Sequence, residues 1–599
     1  MHIQPTESEL EKLRQRLVRL TIIIIIAFSI LIIRIGYLQI IKGNYYRKVS
    51  ENNRIRLIPI AASRGMIYDR NSKVLAQDIP SFDIAMIQLG LSKEEIARTL
   101  IKLKRIVKIN LKEVMEKISE KKNRPFEPVV IVSDVDRKIL TRVAERTTEL
   151  PGIIIQVTPK RYYICGPLCA HILGYIGEIS KKELISKHGQ GYKYGGLIGK
   201  AGIEGYYDVF LKGNDGGKQI EVDVRGRQLR VLGDMEPIPG NNLILTIDSK
   251  LQEIVNDALG NKSGAVVVMN PNNGEILAMV SKPSFDPNMF LGHMTPAQAK
   301  EIFTDKRYPL FNRAIQALYS PGSVFKIVVT AAALENEIIN EGDTYSCGGV
   351  YWLGNQRFIC FQREKHGNVN VIDALTHSCN IFFYQVGYKL GVNRISKFAR
   401  EVGLGEKTDI DLPAEAVGLV PSPSWKKKRY GESWYSGETI NLSIGQGYIL
   451  ATPLQLAHAL STIVNGGRVF RPRIVKQLID SSGNVKVFNP WVKRIISLST
   501  QTQKVLFKGL ESVVANGTGA RAFLSYLRVG GKTGTVQNPT GEDHALFLCF
   551  APVDSPKVVI SVIVEHGGKG GIEAVPVARR ILEQMDWSIV KEEEKESSS

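Results

Sequence analysis

Ser323-Val324-Phe325-Lys326, followed by Ser378-Cys379-Asn380 and then by Lys532-Thr533-Gly534-Thr535, decides how this chain is read. A hydroxyl with an amine three residues on, a second hydroxyl beside an amide, and a cationic strand with two more hydroxyls suit acyl transfer through a serine ester. The weight lies in the coincidence of three motifs, because S-x-x-K alone recurs from Ser119 to Lys122 and from Ser424 to Lys427. Context separates them. Ser119 sits in a lysine-rich amphipathic run, and Ser424 follows Pro421 and Pro423 in what reads as a loop. Ser323 follows Pro321-Gly322 and opens an apolar run, which predicts a buried helix over 323–339. The Gly531-Lys532-Thr533 run is no P-loop, since that motif requires glycine where Tyr526 stands.

The 599 residues support two to four domains, and with 44% hydrophobic and 23% charged residues large cores can be buried. The net charge of +19 raises the question of nucleic acid, but no nucleic-acid-binding motif accompanies it. Much of the charge lies in mixed-sign stretches such as Arg98 to Lys122, which read as solvated surface, with attraction to anionic lipid or a carboxylate-bearing wall polymer as the second reading.

Residues 20–41 form an apolar stretch of membrane-spanning length, interrupted only by Arg34 near its end, where a long side chain reaches the interface. No small-residue cleavage site follows, so the stretch reads as an uncleaved signal-anchor. Lys12, Arg14, Arg16 and Arg19 before it are matched by Lys42, Arg47 and Lys48 after it, so charge hardly sets the orientation. The simpler topology leaves residues 1–19 in the cytoplasm and the large remainder outside.

Residues 42–240 hold no catalytic constellation. Ser63 to Asn71 reads as a strand entering a turn, and 80–157 alternates strands (82–87, 129–132, 153–157) with helices (93–106, 111–118, 137–148), a small α/β insert. Residues 196–217 are glycine-rich loops around a short helix. From Asn242 the pattern sharpens into a strand over 243–247, a helix over 249–259, and a hairpin of 265–269 with 275–280. A helix over 371–390 carries the second motif, a hairpin of 546–551 with 557–564 follows the Lys532 strand, and a last helix covers 574–590. The tail 591–599 is charged, serine-rich and predicted to be disordered.

Taken together the chain resembles the class B penicillin-binding proteins, most of all their cell-elongation subgroup. The resemblance runs from the apolar anchor to the last helix. Arg64-Gly65-Met66-Ile67-Tyr68-Asp69-Arg70, Gly202-Ile203-Glu204 and Asp223-Val224-Arg225-Gly226-Arg227 are similar to motifs of that family's pedestal domain. Ser443-Ile444-Gly445-Gln446-Gly447 and Thr452-Pro453-Leu454-Gln455 are similar to its segment between the second and third catalytic motifs. The resemblance implies an α/β (α+β) serine transpeptidase fold over 241–590. This has a mainly antiparallel central sheet and flanking helices, preceded by an elongated pedestal over 42–240 and one transmembrane helix.

It also implies a peptidoglycan DD-transpeptidase held in the inner membrane with its catalytic domain on the periplasmic side. Such an enzyme cleaves the D-Ala-D-Ala bond of a donor stem peptide, passes the acyl group to an amine of a neighbouring stem, and is acylated by β-lactams. A membrane glycosyltransferase of the SEDS family and other elongation proteins are the implied partners, and no nucleic acid. The rival readings are a chain that chiefly activates that glycosyltransferase, or a β-lactamase or β-lactam sensor.

On this reading Ser323 is the nucleophile. Lys326, on the same helix side, is its base, provided burial and nearby Lys532 keep its amine partly neutral. Ser378 relays a proton to the departing amine, Lys532 sharing that role, and Asn380 holds Lys326 or a substrate amide. Lys532, Thr533, Gly534 and Thr535 form the segment that takes the substrate's terminal carboxylate. By analogy with the family, the N–H groups of Ser323 and Thr535 form the oxyanion hole. No cofactor is needed for catalysis.

Cys347, Cys360, His366 and Cys379 lie between the first two motifs, and a Cys3His set suits tetrahedral Zn²⁺. The spacing is wider than a zinc finger's, and an oxidising compartment favours a disulfide instead. Some members of the elongation subgroup carry zinc at similar spacing, so the resemblance implies a structural Zn²⁺. Cys165 and Cys169 can pair or stay free, and Cys549 is expected in a strand core.

Overall fold

A computed structural model describes residues 7–46, 55–88, 90–120, 127–193, 195–222, 228–292, 294–538 and 541–590. The pedestal motif from Asp223 to Arg227 and the tail 591–599 lie outside the described residues. Two compact units emerge, one of Met1–Ala62, Pro80–Thr158 and Asn214–Ile238, the other of Ser63–Ile79, Pro159–Gly213 and Pro239–Ser599.

In the first unit a single helix covers Glu7–Gly36 and widens into a π-turn over Tyr37–Ile41. Within Arg14–Ile41 an 18-residue window reaches a mean hydropathy of 2.6 and is buried nowhere against protein. The helix begins earlier than the apolar run because the charged turns before residue 20 are good helix formers. Ile55–Ile60, Gly216–Val222 and Gln228–Met235 pair as a three-stranded antiparallel sheet. The α/β insert carries helices at Lys93–Lys104, Leu111–Glu120 and Arg137–Ala144 and a strand at Val129–Val132. Its own core gathers Ile84, Leu100, Leu103, Val129, Val143 and Ile153. The first of these helices starts where Ser92 and Glu95 close a reciprocal capping box.

The second unit is built on a five-stranded antiparallel sheet. Its strands are β1 (Gly264–Met269), β2 (Ile276–Lys282), β3 (Gly530–Val536), β4 (His544–Ala551) and β5 (Val558–Val564), in the spatial order β2-β1-β5-β4-β3. Every residue of β1 and β5 is buried, which explains runs such as Val558-Val559-Ile560-Ser561-Val562 that lack polar alternation: both faces are covered. Side chains on the two faces separate cleanly. Val266 and Val268 pack with Leu251, Val255 and Leu259 of helix α1 (Ser249–Leu259). Ala265, Val267 and Met269 belong to the opposite core, with Val329 and Ala332 of helix α2 (Lys326–Glu335). Two later elements, helices α3 (Val371–Thr376) and α4 (Asn380–Glu401), join that second core. The last helix α5 (Gly570–Gln584) covers the first face through Ala578 and Ile581.

Compactness cuts the chain differently from a boundary near 240. Residues 63–79 and 159–213 belong with the second unit, and buried charge explains why. Arg64 donates to Glu204 and, at 2.7 Å, to Asp208, while Arg161 donates to the same Glu204 at 2.7 Å and to the carbonyl of Gly65 at 2.8 Å. Glu204 is fully buried. These charges, each costly to leave unpaired, tie the two segments to each other, while Ile67 and Tyr68 pairing with Leu243 and Ile244, and the Tyr207 hydroxyl donating to Asp411 at 3.1 Å, join them to the rest of the unit.

Several expected helices are reshaped. The run 323–339 is a 3₁₀ turn over Gly322–Phe325 followed by α2, which ends before Asn336. The expected single helix over 371–390 is two, α3 and α4, broken at Ser378, and α4 is interrupted again at Gly391 (φ 80°). Helix α5 stops at Gln584, with a 3₁₀ turn over Trp587–Val590. Ser424 lies in a helix, Pro423–Tyr430, rather than a loop: Ser422 caps it by accepting from the Trp425 N–H, and proline is tolerated in a first turn.

Candidate active site

Each motif arrives on a different element. Pro321-Gly322 turns the chain sharply, with Gly322 at φ 55°, so Ser323 stands in the 3₁₀ turn that feeds α2. The turn is fixed from outside: the Gly322 N–H donates to the Gly445 carbonyl at 2.8 Å. Gly445 has φ 71°, and a Cβ there would lie 2.2 Å from the Gly322 oxygen, so only glycine fits. That contact gives Ser443-Ile444-Gly445-Gln446-Gly447 a physical task.

The second motif occupies the joint between α3 and α4. Ser378 has φ 54°, an unusual left-handed conformation for a serine, and its N–H donates to Leu375 O at 3.2 Å. The cost of that backbone state is of order 1–3 kcal/mol. It is offset by what the turn presents: Lys326 Nζ donates to Ser378 O at 2.8 Å, to Ser378 Oγ at 3.1 Å and to Asn380 Oδ1 at 2.7 Å. Had the helix run straight through, the Ser378 carbonyl would be spent on an intrahelical bond.

The third motif lies on β3, the edge strand of the sheet, whose outer backbone groups have no strand partner among the described residues. Gly534 permits close approach to the Ser323 turn, because a Cβ there would meet Val324 Cγ1 at 3.2 Å and the Pro321 oxygen at 3.3 Å. The Thr535 carbonyl lies against Gly322. Thr535 Oγ1 accepts from the Gly570 N–H at 3.3 Å, and Lys532 Nζ donates to Thr533 O at 3.3 Å.

Ser323, Ser378, Asn380, Thr533 and Thr535 line a single cavity of about 730 Å³. Lys326 and Lys532 are wholly buried behind its wall. Burial pushes the Lys326 amine down from its ordinary 10.5 to about 7, against the opposing pull of the Cys379 and Cys360 sulfurs. Burial, then the nearby Lys326 charge, hold Lys532 well below the usual range for an amine. The site therefore carries a buried amine of near-neutral pKa one helical turn from a half-exposed hydroxyl.

Cys347, Cys360, His366 and Cys379 also converge, with ligand atoms all within 4.8 Å of one another. His366 turns Nδ1 toward Cys347 Sγ at 3.4 Å and Cys360 Sγ at 3.7 Å, and its Nε2 toward Glu364 at 3.2 Å. Cys360 also lines the cavity. All six cysteines are free thiols, Cys549 being buried within β4.

Thr518, His377, Arg521 and Lys569 line the same cavity without having been singled out from the sequence. Thr518 is the best placed: its hydroxyl accepts from Thr533 Oγ1 at 2.7 Å, and its N–H donates to Thr376 O at 3.3 Å, just before the Ser378 turn. The turn residues Asn516-Gly517-Thr518-Gly519 ahead of β3 were the available signal.

The chain matches the penicillin binding protein transpeptidase domain over residues 264–583 and the penicillin-binding protein dimerisation domain over 59–245. It is 34% identical over 590 residues to the peptidoglycan D,D-transpeptidase MrdA of Haemophilus influenzae, covering 94% of this chain and 90% of that one. Among solved structures it resembles the penicillin-binding protein PBP2 of Helicobacter pylori in complex with MreC (TM-score 0.78, 30% identity, 88% of this chain and 98% of that one). It also resembles a chain of a peptidoglycan synthase complex that coordinates polymerization and crosslinking (TM-score 0.70, 31% identity, 95% and 97% covered). With residues of all three motifs gathered at one cavity and MrdA relatives aligned over nine-tenths of its length, the chain belongs to the penicillin-binding protein transpeptidase family, in its PBP2 branch.

Proposed function

We propose that the cavity cross-links peptidoglycan by serine acyl transfer. The observation that carries this is the buried Lys326 amine, held by Ser378 and Asn380 at 2.7–3.1 Å and kept near pKa 7. Neutral Lys326 takes the Ser323 proton as Oγ attacks the carbonyl of the penultimate D-alanine, and the carbonyl π electrons move onto oxygen. N–H groups of Ser323 and of Thr535 on the open edge of β3 receive that oxyanion. When the tetrahedral intermediate collapses, the C–N bond breaks and the proton passes through Ser378 Oγ to the departing D-alanine amine. The acceptor amine then attacks the ester by the same steps reversed, losing its proton to Lys326 and restoring the Ser323 hydroxyl. Asn380 orients Lys326, while Thr533 and Thr535 of the Lys532–Thr535 segment bind the donor's terminal carboxylate, a group that β-lactams share, with Lys532 buried behind them and Gly534 seating the strand against the Ser323 turn.

The same reading makes the chain a peptidoglycan D,D-transpeptidase of wall elongation. It is anchored by the Arg14–Ile41 helix in the inner membrane with the catalytic unit on the periplasmic side. Its partners are a SEDS-family glycosyltransferase and other proteins of the elongation complex. The kinship to PBP2 bound to MreC, and to a chain of a peptidoglycan synthase complex, supports these partners. Incubation with uncross-linked strands tests the function: released D-alanine and cross-linked product rise together, and both vanish in Ser323→Ala. Cross-linking that survives this substitution refutes it.

Cys347, Cys360, His366 and Cys379 would hold a structural Zn²⁺. Three thiols and one imidazole packed within 4.8 Å suit a tetrahedral ion with Zn–S bonds of about 2.3 Å. Glu364 fixes the outer nitrogen of His366, and the Cys379 thiol, then the N–H groups of Asn380 and Ile381 at the start of α4, favour a charged Cys360 sulfur. When bound, the ion supplies a cross-link that pins the Ser378 turn to the Cys347 strand. Metal analysis of purified protein is expected to give one zinc per chain, lost in Cys347→Ser; a metal-free preparation with oxidised cysteines rules the site out.

A further inference from the structure

Between the second and third motifs the chain places five aromatic side chains within 24 residues, Trp425, Tyr430, Trp434, Tyr435 and Tyr448. Four form one group: Trp425 and Tyr448 have ring centroids 5.2 Å apart, Tyr430 and Tyr448 5.6 Å, Trp425 and Tyr430 5.7 Å, and Trp434 and Tyr448 6.4 Å. Tyr430 is 52% exposed and Tyr435 61%. The patch is held in place from below. Lys426, fully buried, donates to Glu438 at 2.6 Å, pairs with Glu432 at 3.3 Å, and sits under the Tyr435 ring at 4.3 Å from its centroid. A buried cation beneath Tyr435, beside four rings that pack on one another, makes a preorganised binding surface rather than a loose hydrophobic spill.

Its neighbours say what it faces. Lys427, Lys428 and Arg429 are exposed on the same helix, giving a cationic rim. Gly445 touches the nucleophile's turn at Gly322, and Gln446 lines the catalytic cavity. Tyr448 follows Gly445 by three residues, so at most ~11 Å of chain separates the first ring from that turn. A stem peptide of five residues spans at most ~17 Å. With its terminal bond at Ser323, a stem of that length is long enough for the sugar to which it is attached to reach these rings.

We propose that this aromatic and cationic shelf binds the glycan of the donor strand: rings pack on the apolar C–H faces of the sugars, and the rim pairs with carboxylates of the stems. The proposal rests on the acyl-transfer reading of the cavity and adds a second, non-reacting contact to it. Binding energy won there is available for positioning the distant D-Ala-D-Ala bond, which predicts that strands are processed better than free stem peptides.

The test compares the full chain with Tyr430→Ala/Tyr435→Ala and with Lys427→Glu/Lys428→Glu/Arg429→Glu. Acylation by fluorescent penicillin, too small to span both places, reports an intact cavity and is expected to change less than about twofold. If the parent chain itself fails to be acylated, the catalytic reading falls, which separates that failure from this one. Cross-linking efficiency on uncross-linked strands is expected to drop about tenfold in each variant, chiefly through KM, given the usual worth of one or two aromatic contacts. A disaccharide-repeat oligomer without stems is expected to quench Trp425 and Trp434 fluorescence in the parent and not in the tyrosine variant. Unchanged KM for strands overturns the proposal, as does equal handling of strands and free stem pentapeptides. So does patch-dependent binding of anionic phosphatidylglycerol vesicles with no response to the oligomer, which would make the shelf a lipid contact.

Discussion

Acidifying the medium is expected to silence the site through Lys326. Its amine is buried and drawn from 10.5 to about 7, the sulfurs of Cys379 and Cys360 limiting the fall. At about pH 8 roughly nine-tenths of the chains then carry a neutral base, and at about pH 6 roughly one-tenth, so the second-order acylation rate by penicillin falls about tenfold across that interval. An ordinary lysine would leave only about one chain in three thousand competent at pH 7. The displacement, about 5 kcal/mol, is also a stability statement. Between pH 7 and 10.5 the unfolded chain holds a proton on this amine that the folded chain has released. Stability is therefore expected to rise with pH across that window, by up to about 1.4 kcal/mol per pH unit, and this increment to vanish in Lys326→Met. Stopped-flow acylation from about pH 5.5 to 9 gives the first quantity and denaturant melts the second. A rate that climbs a hundredfold between pH 6 and 8 with no plateau, or a Lys326→Met chain with the parent's pH profile, would refute the reasoning.

Gly445→Ala is expected to cost at least a hundredfold in acylation, since its Cβ would sit 2.2 Å from the Gly322 oxygen and displace the nucleophile's turn; penicillin labelling of the folded variant measures it. Thr518→Val removes the acceptor of the Thr533 hydroxyl, 2.7 Å away, and leaves that donor without a partner. A loss of about tenfold in acylation is expected, at about 1–2 kcal/mol, with Thr518→Ser restoring most of it. Chelation of the purified protein is expected to lower its unfolding midpoint and leave Cys347→Ser, already metal-free, unaffected; equal midpoints before and after chelation contradict a structural ion.

Much of this was legible in the sequence because local chemistry is stated locally. The helix 249–259, the strand 129–132 and the paired hairpins came from hydrophobic period and turn residues, and the three motifs named their own side chains. What was not legible depends on contacts between distant segments. Nothing around residue 378 announces a break, since Ser378 takes its left-handed turn to serve Lys326, 52 positions earlier. The grouping of residues 63–79 and 159–213 with the second unit rests on Arg64 and Arg161 meeting Glu204 in the interior, and on Ile67 pairing with Leu243 and Tyr207 reaching Asp411. Thr518 was not singled out, because it sits in the turn sequence Asn516 to Gly519 and only the fold brings it against Thr533. The Pro421–Pro423 run suggested a loop where a capped helix forms, because proline marks helix starts as readily as turns.

The most direct test of the central claim, that Lys326 activates the Ser323 hydroxyl for acylation, is mass spectrometry of the penicillin adduct on the full chain. The expected result is one adduct per molecule, on the peptide containing Ser323. It should be absent from Ser323→Ala and slowed by several orders of magnitude in Lys326→Met. An adduct that maps to Ser378 or to another peptide, or that forms at the parent rate without the lysine, contradicts it.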